Sequence, residues 1–292
     1  MRLALLALAI VCLSQPANLI RWAQAPIEVI GFWRLLIAAA ALSPGAWAGR
    51  RSWERLPARE RPFALLAGAL FFAHLWSYVF AVQHAPVALV MAAFCTHPLW
   101  TGAGLWLLDG ARPTMRLGAA YLLAGGGVWA LVSDSVGAGG VAGGLAGLGS
   151  AALFSCYVLT GRRLRRALDN SVYAAAVFWV SALCFLAAGS ARGAAWTGYP
   201  AATWAAVLGL GLGVTLGGHA IFTYLLGSLD VNLLGCAKLF EPILGALTAR
   251  LAFGEPLRPG TAWAFAGIAA AVLVMLWPSG RPFPMGPAGL DE

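Results

Sequence analysis

The chain has 292 residues, 61% of them hydrophobic and only 10% charged, with a mean hydropathy of +0.79 and a formal net charge of +8. Soluble domains carry about 25% charged residues, so a water-solvated globule is excluded and a lipid bilayer is the expected medium. The basic residues lie in short loops, where positive charge signals membrane orientation, and nucleic acid is not an expected partner.

Apolar runs broken by Pro, Gly and charge predict ten spans, at 3–20, 28–48, 62–83, 86–108, 114–133, 141–162, 171–190, 201–227, 231–253 and 260–277. Arg2 followed by LALLALAIVCL resembles a signal peptide, with Ala23-Gln24-Ala25 as a cleavage-like site. The internal repeat described below needs this segment, so it reads as an uncleaved first span. The seventh span is the weakest, because Gly189 and Arg192 interrupt its end. Thirteen of the 19 Lys and Arg residues fall on the side of the N-terminus and four on the other, which predicts both termini in the cytoplasm. Five cysteines (Cys12, Cys95, Cys156, Cys184, Cys236) sit in apolar runs without CxxC spacing and read as buried small hydrophobes.

The stretch from His74 to Ala111 is repeated, weakly, from His219 to Glu255. Pro98 falls on Pro242, Gly110 on Gly254 and His97 on Glu241, and Gly118 and Gly126 fall on Ala262 and Ala270. Each half, 1–134 and 135–292, then holds five spans. An odd number inverts the second half relative to the first. The expected fold is an all-α membrane protein of ten transmembrane helices as two inverted five-helix repeats. Such repeats place a site near the bilayer midplane and permit alternating access. The glycine-rich joint leads into small-residue stripes, Gly143 and Gly147 on span 6 and Gly209, Gly213 and Gly217 on span 8, suited to close helix packing or to sliding surfaces.

Two five-span halves, a Pro in spans 4 and 9, Gly254-Glu255 closing span 9, a small-residue-rich last span and FWRLLIAAAAL at 32–42 together resemble the EamA branch of the drug/metabolite transporter superfamily. Its overall pattern and aromatic content are most similar to bacterial exporters of aromatic amino acids. The resemblance covers nearly the whole chain. It implies a bacterial inner-membrane exporter whose central cavity is walled by spans 1, 3, 4, 6, 8 and 9, with spans 5 and 10 outside. One departure concerns the acidic residue that closes span 9. At the matching place in span 4 stands Ala111, with Asp109 two residues earlier.

A charged residue inside the bilayer costs about 2.5–3.5 kcal/mol on the insertion scale and marks a pathway. Lys238 and Glu241, three apart, share a helix face. They either form a self-contained ion pair or serve a substrate, Lys238 its carboxylate and Glu241 its amine or a coupled proton. Pro242, and Pro98 after His97, disfavour helical geometry at the preceding residue and remove a hydrogen bond, so both are expected hinges. His74, His97 and His219 are candidate substrate or proton groups, or else ordinary hydrogen-bonded histidines, with His84 at a loop the weakest of the four. Tyr78, Phe94, Tyr157 and Trp179 supply aromatics at mid-span, and Gln15 and Asn18 place amides on span 1. An aromatic-lined cavity suits flat hydrophobic solutes, although lipid-facing or packing roles are open to each aromatic. Arg34 reads as snorkelling or paired at a helix edge. No metal motif is present and no cofactor is expected.

The function these features favour is secondary export of small amphipathic metabolites, amino acids with aromatic side chains first, in a lipid bilayer, with protons as candidate coupling ions. An intramembrane enzyme using Glu241, His97 and His219 as acid–base groups is the alternative, followed by a membrane scaffold that transports nothing.

Overall fold

The computed structural model describes residues 1–85, 87–110, 114–133, 141–229, 231–238, 240–254 and 259–276. All regular structure among them is helical, as expected where lipid offers no partner to a bare backbone N–H or C=O. Six helical stretches among the described residues are long and apolar enough to cross a membrane: Arg2–Ala23, Ile27–Ala48, Ala58–His84, Val141–Leu164, Asn170–Ala191 and Ala201–Leu226.

The first of these is divided into α1 (Arg2–Leu13) and α2 (Pro16–Ala23). Pro16 has no N–H to offer the preceding turn. The Cys12 carbonyl takes the Gln15 N–H at 3.3 Å instead, the Ser14 hydroxyl caps the Val11 carbonyl at 2.7 Å, and the break aims Gln15 and Asn18 at α14. α3 (Ile27–Ala48), the short α4 (Arg50–Arg55) and α5 (Arg61–His84) follow. Next come α6 (Val87–Phe94), α7 (His97–Asp109) and α8 (Met115–Ser133). The second half begins with α9 (Val141–Leu164) and α10 (Asn170–Ala191). The seventh span is therefore unbroken. Gly189 lies inside α10 because the Trp196 ring occupies the place of a side chain, 2.4 Å from where its Cβ would be.

α11 (Ala201–Leu208) runs into a π-helical stretch, Gly209–Ala220, and on into α12 (Ile221–Leu226). This wider turn removes Gly213 from the expected glycine stripe, where it now faces open space. Gly209 and Gly217 keep close neighbours, Leu19 and Cys12, and Gly211 and Gly218 add close approaches to Arg34 O of α3 and to Leu13 of α1. The other stripe behaves as expected. A Cβ on Gly143 would lie 2.5 Å from that of Ala85, and one on Gly147 3.0 Å from that of Ala93.

α13 (Val231–Lys238), α14 (Glu241–Phe253) and α15 (Pro259–Leu276) complete the described fold. α13 and α14 reproduce α6 and α7: eight residues, a break, then thirteen residues with Pro second. Both longer pieces end on a glycine in the left-handed region, Gly110 and Gly254, each at φ 67°. One sequence interval separates Val87 from Val231, His97 from Glu241 and Gly110 from Gly254. Ala111 and Glu255, the acidic-position mismatch, lie outside the described residues, and Asp109 forms an ion pair with Arg162 at 2.6 Å.

α5 packs along α9, α3 along α10, and the α1/α2 pair along α11 and the π stretch, while α8 packs along α15 with a small apolar cluster of its own. Between helices in lipid the drive is close packing rather than escape from water. At Gly68 of α5 a Cβ would lie 2.5 Å from Val180 of α10. Four of the cysteines are less buried than expected, and the side chain of Cys236 lies outside the described residues. Cys12, Cys95 and Cys184 are half-buried and Cys156 is exposed, all with free thiols.

Candidate functional site

The two proline breaks lie face to face across the middle of the fold, and their chemistry differs. Pro98 lacks the N–H that would have reached the Phe94 carbonyl four residues back. His97 Nδ1 takes over that carbonyl at 3.1 Å. A carbonyl only accepts, so Nδ1 carries the hydrogen and Nε2 of the neutral ring is left as a bare acceptor. That Nε2 is buried and has no partner. The His97 carbonyl is held from α9 by the Ser155 hydroxyl at 2.7 Å and from its own helix by Thr101 at 3.0 Å.

At the second break Lys238, the last residue of α13, donates to Glu241 Oε1 at the start of α14. Both are buried. The Lys238 ammonium also faces three phenylalanine rings, its Nζ 4.9 Å from the centre of Phe154, 5.3 Å from Phe222 and 5.6 Å from Phe94. Ring quadrupoles attract a desolvated cation, so the pair is held by charge on one side and by π faces on the other.

Around it gathers a continuous aromatic cluster. His74 stacks on Phe94 at 5.5 Å, and Phe94 stacks on His97 at 5.2 Å. His74 and His219 stand edge to face with centroids 6.4 Å apart, and Phe71 meets His219 at 4.9 Å. Tyr78 packs on Phe94 at 5.6 Å, and Tyr157 on Phe71 at 4.9 Å. His74 Nδ1 lies 2.8 Å from the Ser150 hydroxyl and 3.1 Å from its carbonyl. The Ser150 hydroxyl in turn donates to the His74 carbonyl, so His74, like His97, carries its hydrogen on Nδ1. The His219 Nδ1 is buried without a partner.

Of the residues singled out in the sequence, His74, Tyr78, Phe94, His97, Tyr157, His219, Lys238 and Glu241 thus converge in one place, with Pro98 and Pro242 at the two breaks. Gln15 and Asn18 form a separate polar contact with α14. Gln15 Nε2 donates to Thr248 at 3.1 Å and Asn18 Nδ2 to the Gly245 carbonyl at 3.2 Å. Asn18 Oδ1 stays buried and unpartnered.

Trp179 belongs to neither group. It is 38% exposed and donates to Ser43 at 3.0 Å, in an open groove of about 390 Å³ with Trp47, Arg50 and Trp53. Its mid-span depth does not set the direction its side chain takes, and α10 turns it outward between α3 and α4. His84 is exposed and stacks on Phe80 at 4.0 Å.

Arg34 is placed differently from expectation. It does not snorkel, being only 1% exposed. Nε and Nη2 donate to Thr215 of the π stretch at 3.2 and 3.1 Å, and Nη1 has no partner. Phe71, Phe154, Phe222, Ser150 and Ser155 are further members of the site that the sequence reading passed over. Phe71, Phe154 and Phe222 each stand three residues from His74, Tyr157 and His219, so one-turn spacing is the available signal for the rings, while Ser150 and Ser155 carry no such signal. Among the described residues, no group of three or more His, Cys, Asp or Glu side chains could hold a metal.

No family model matches the chain. It is 27% identical over 258 residues to an uncharacterized transporter of Bacillus subtilis (strain 168), YwfM, covering 86% of this chain and 84% of the relative. A solved crystal structure of a protein has the same fold, with a TM-score of 0.76 and 23% identity over 94% of this chain and 95% of that one.

Proposed function

We propose that the protein is a secondary transporter of small amphipathic solutes, of the EamA type, and that the cluster around Lys238 and Glu241 is its substrate site. The observation that carries the reading is the convergence of both proline breaks on buried, incompletely satisfied polar groups ringed by aromatics. Backbone breaks at membrane depth are tolerated where they line a functional cavity. A soluble domain of this size would not bury Arg34, Lys238, Glu241 and three histidines together. The similarity to a bacterial transporter supports the same class.

In this reading the chain crosses an inner membrane ten times, with both termini cytoplasmic, as two inverted halves, 1–134 and 135–292. The pieces α6/α7 and α13/α14, alike in length, proline position and terminal glycine, are the moving parts of an alternating-access cycle. The aromatic walls favour flat side chains. The acceptors His97 Nε2 and Glu241 suit an ammonium group, so amino acids with aromatic side chains are the first substrates to try, moved outward.

The test is uptake into liposomes holding the purified full chain, with radiolabelled phenylalanine, tryptophan, threonine and a nucleotide sugar, with and without a pH gradient. Saturable uptake of unchanged amino acid, lost in Tyr78→Ala, is the expected result. Folded protein that moves none of these compounds would overturn the reading. Chemical conversion of a solute would favour catalysis by Glu241, His97 and His219.

A further inference from the structure

We propose that Arg34, held by Thr215 on the π-helical stretch, is the binding group for an anionic end of the solute, a carboxylate or a phosphate. The proposal rests on reading the central cluster as a substrate site, and it adds a residue and a charge requirement to that site.

The argument is one of unmatched charge. Lys238 is neutralised by Glu241, and the buried Glu28 by Arg192 at 2.7 Å. Arg34 is a buried guanidinium with no carboxylate within ion-pair distance among the described residues. Thr215 does not supply the missing charge. Its hydroxyl hydrogen already goes to the Leu210 carbonyl at 2.8 Å, five residues back along the wide π turn. The hydroxyl oxygen therefore meets Arg34 as a neutral acceptor, used by Nε and Nη2 together. Nη1 remains with two N–H groups and no acceptor, in a place water does not reach.

A buried cation left in this condition is unfavourable unless something negative joins it. The fixed hold on Nε and Nη2 presets the plane of the guanidinium, so an arriving anion meets an oriented donor rather than a flexible side chain. Thr215, which holds Arg34, shares the π stretch with His219, a member of the aromatic cluster in ring contact with Phe71 and His74. An anion on Nη1 would therefore stand beside the aromatic walls. The bare acceptor His97 Nε2, in the same cluster, remains for any cationic end. The π stretch is what presents Thr215 to α3, and Gly211 permits the fit, since a Cβ there would lie only 3.2 Å from the Arg34 carbonyl. Wide turns of this kind commonly mark functional sites.

The experiment compares ligands alike in shape but not in charge, on the full chain in lipid nanodiscs: 3-phenylpropionate, 3-phenylpropanamide and phenylphosphonate, read by ligand-induced thermal shift and by titration of intrinsic fluorescence. The wild type should bind the acid roughly ten- to hundredfold more tightly than the amide, the range of a charge-assisted hydrogen bond. Arg34→Gln should abolish that preference and leave amide binding in place, while Arg34→Lys keeps a weaker preference. A phosphonate bound more tightly than the carboxylate assigns phosphate compounds, and the reverse order assigns carboxylates. Equal binding of acid and amide by the wild type would overturn the proposal, and so would an unchanged preference in Arg34→Gln. Should Arg34→Gln fail to fold, Lys238→Met/Glu241→Gln decides: a preference that survives in it supports Arg34, and one that disappears refutes it. Uptake separates this idea from the transport reading. Acid preference in binding without any uptake leaves the site standing and removes transport. Equal uptake of acid and amide does the opposite.

Discussion

Lys238 and Glu241 form an ion pair across the break between α13 and α14, with the Lys238 Nζ 4.9 Å from the centre of the Phe154 ring. Neither charge has another salt-bridge partner among the described residues. Each therefore depends on the other, and the consequences can be measured.

Removing one partner leaves the other charged and buried. Lys238→Met or Glu241→Gln alone should each lower stability by about 3–5 kcal/mol, whereas the double variant should lose markedly less. Unfolding of the purified protein followed by intrinsic fluorescence completes the cycle. Additive losses would show that the pair is not coupled.

His97 and Pro98 are coupled through one carbonyl. His97→Ala orphans Phe94 O, at a cost of about 1–3 kcal/mol. Pro98→Ala restores a backbone N–H able to reach the same oxygen, so His97→Ala/Pro98→Ala should recover most of that stability. The double variant should nevertheless lose uptake, because healing the break removes the bend at the site. Full uptake by the healed variant would argue against a role for the break.

Gly110 and Gly254 both hold φ 67° with nothing within 4 Å of a built Cβ. An alanine at either place meets no neighbour and suffers only the left-handed backbone. Each substitution should cost about 1–2 kcal/mol, and Asn should cost less than Ala at both. Thermal unfolding of the four variants checks this.

Within α9 two glycines should behave in opposite ways. Gly143→Val drives its side chain into Ala85, whose Cβ is 2.5 Å from the new carbon, and should destabilise by about 1–3 kcal/mol. Gly149 has open space around it, so Gly149→Ala should stabilise by about 0.5–1 kcal/mol through helix propensity alone. A loss of stability in Gly149→Ala would indicate a contact missing from the isolated chain.

Helical structure, the presence of breaks near Pro98 and Pro242 and most of the central cluster are readable from residue type alone, although the breaks fall just before His97 and Glu241, which are themselves helical. Charges, histidines and prolines are rare in apolar runs, and each has few physical outcomes there. What escaped depended on which way a side chain turns. Trp179 and Tyr157 are both mid-span aromatics, yet one faces an outer groove and the other is fully buried. Arg34 escaped for the same reason, since its position in α3 does not reveal that Thr215 waits opposite. GLGLGVTLGGHA carries no local mark of a π turn, so α-helical spacing predicts a Gly209/Gly213/Gly217 stripe that Gly213 does not join. Phe154 and Phe222 lie one turn from Tyr157 and His219, a spacing that the sequence does show.

The hydrogen bond from His97 to the Phe94 carbonyl also bears on how protons could travel. A relay histidine receives a proton on one nitrogen and releases it from the other, then resets by turning its ring or exchanging hydrogens. At His97 either reset would take the Nδ1–H away from the Phe94 oxygen and break the patch over the missing proline N–H. The ring is thus committed to a single tautomer for as long as the α6/α7 break exists. A proton cycle at this pair of breaks would run through Glu241, leaving His97 to recognise a donor rather than to carry one.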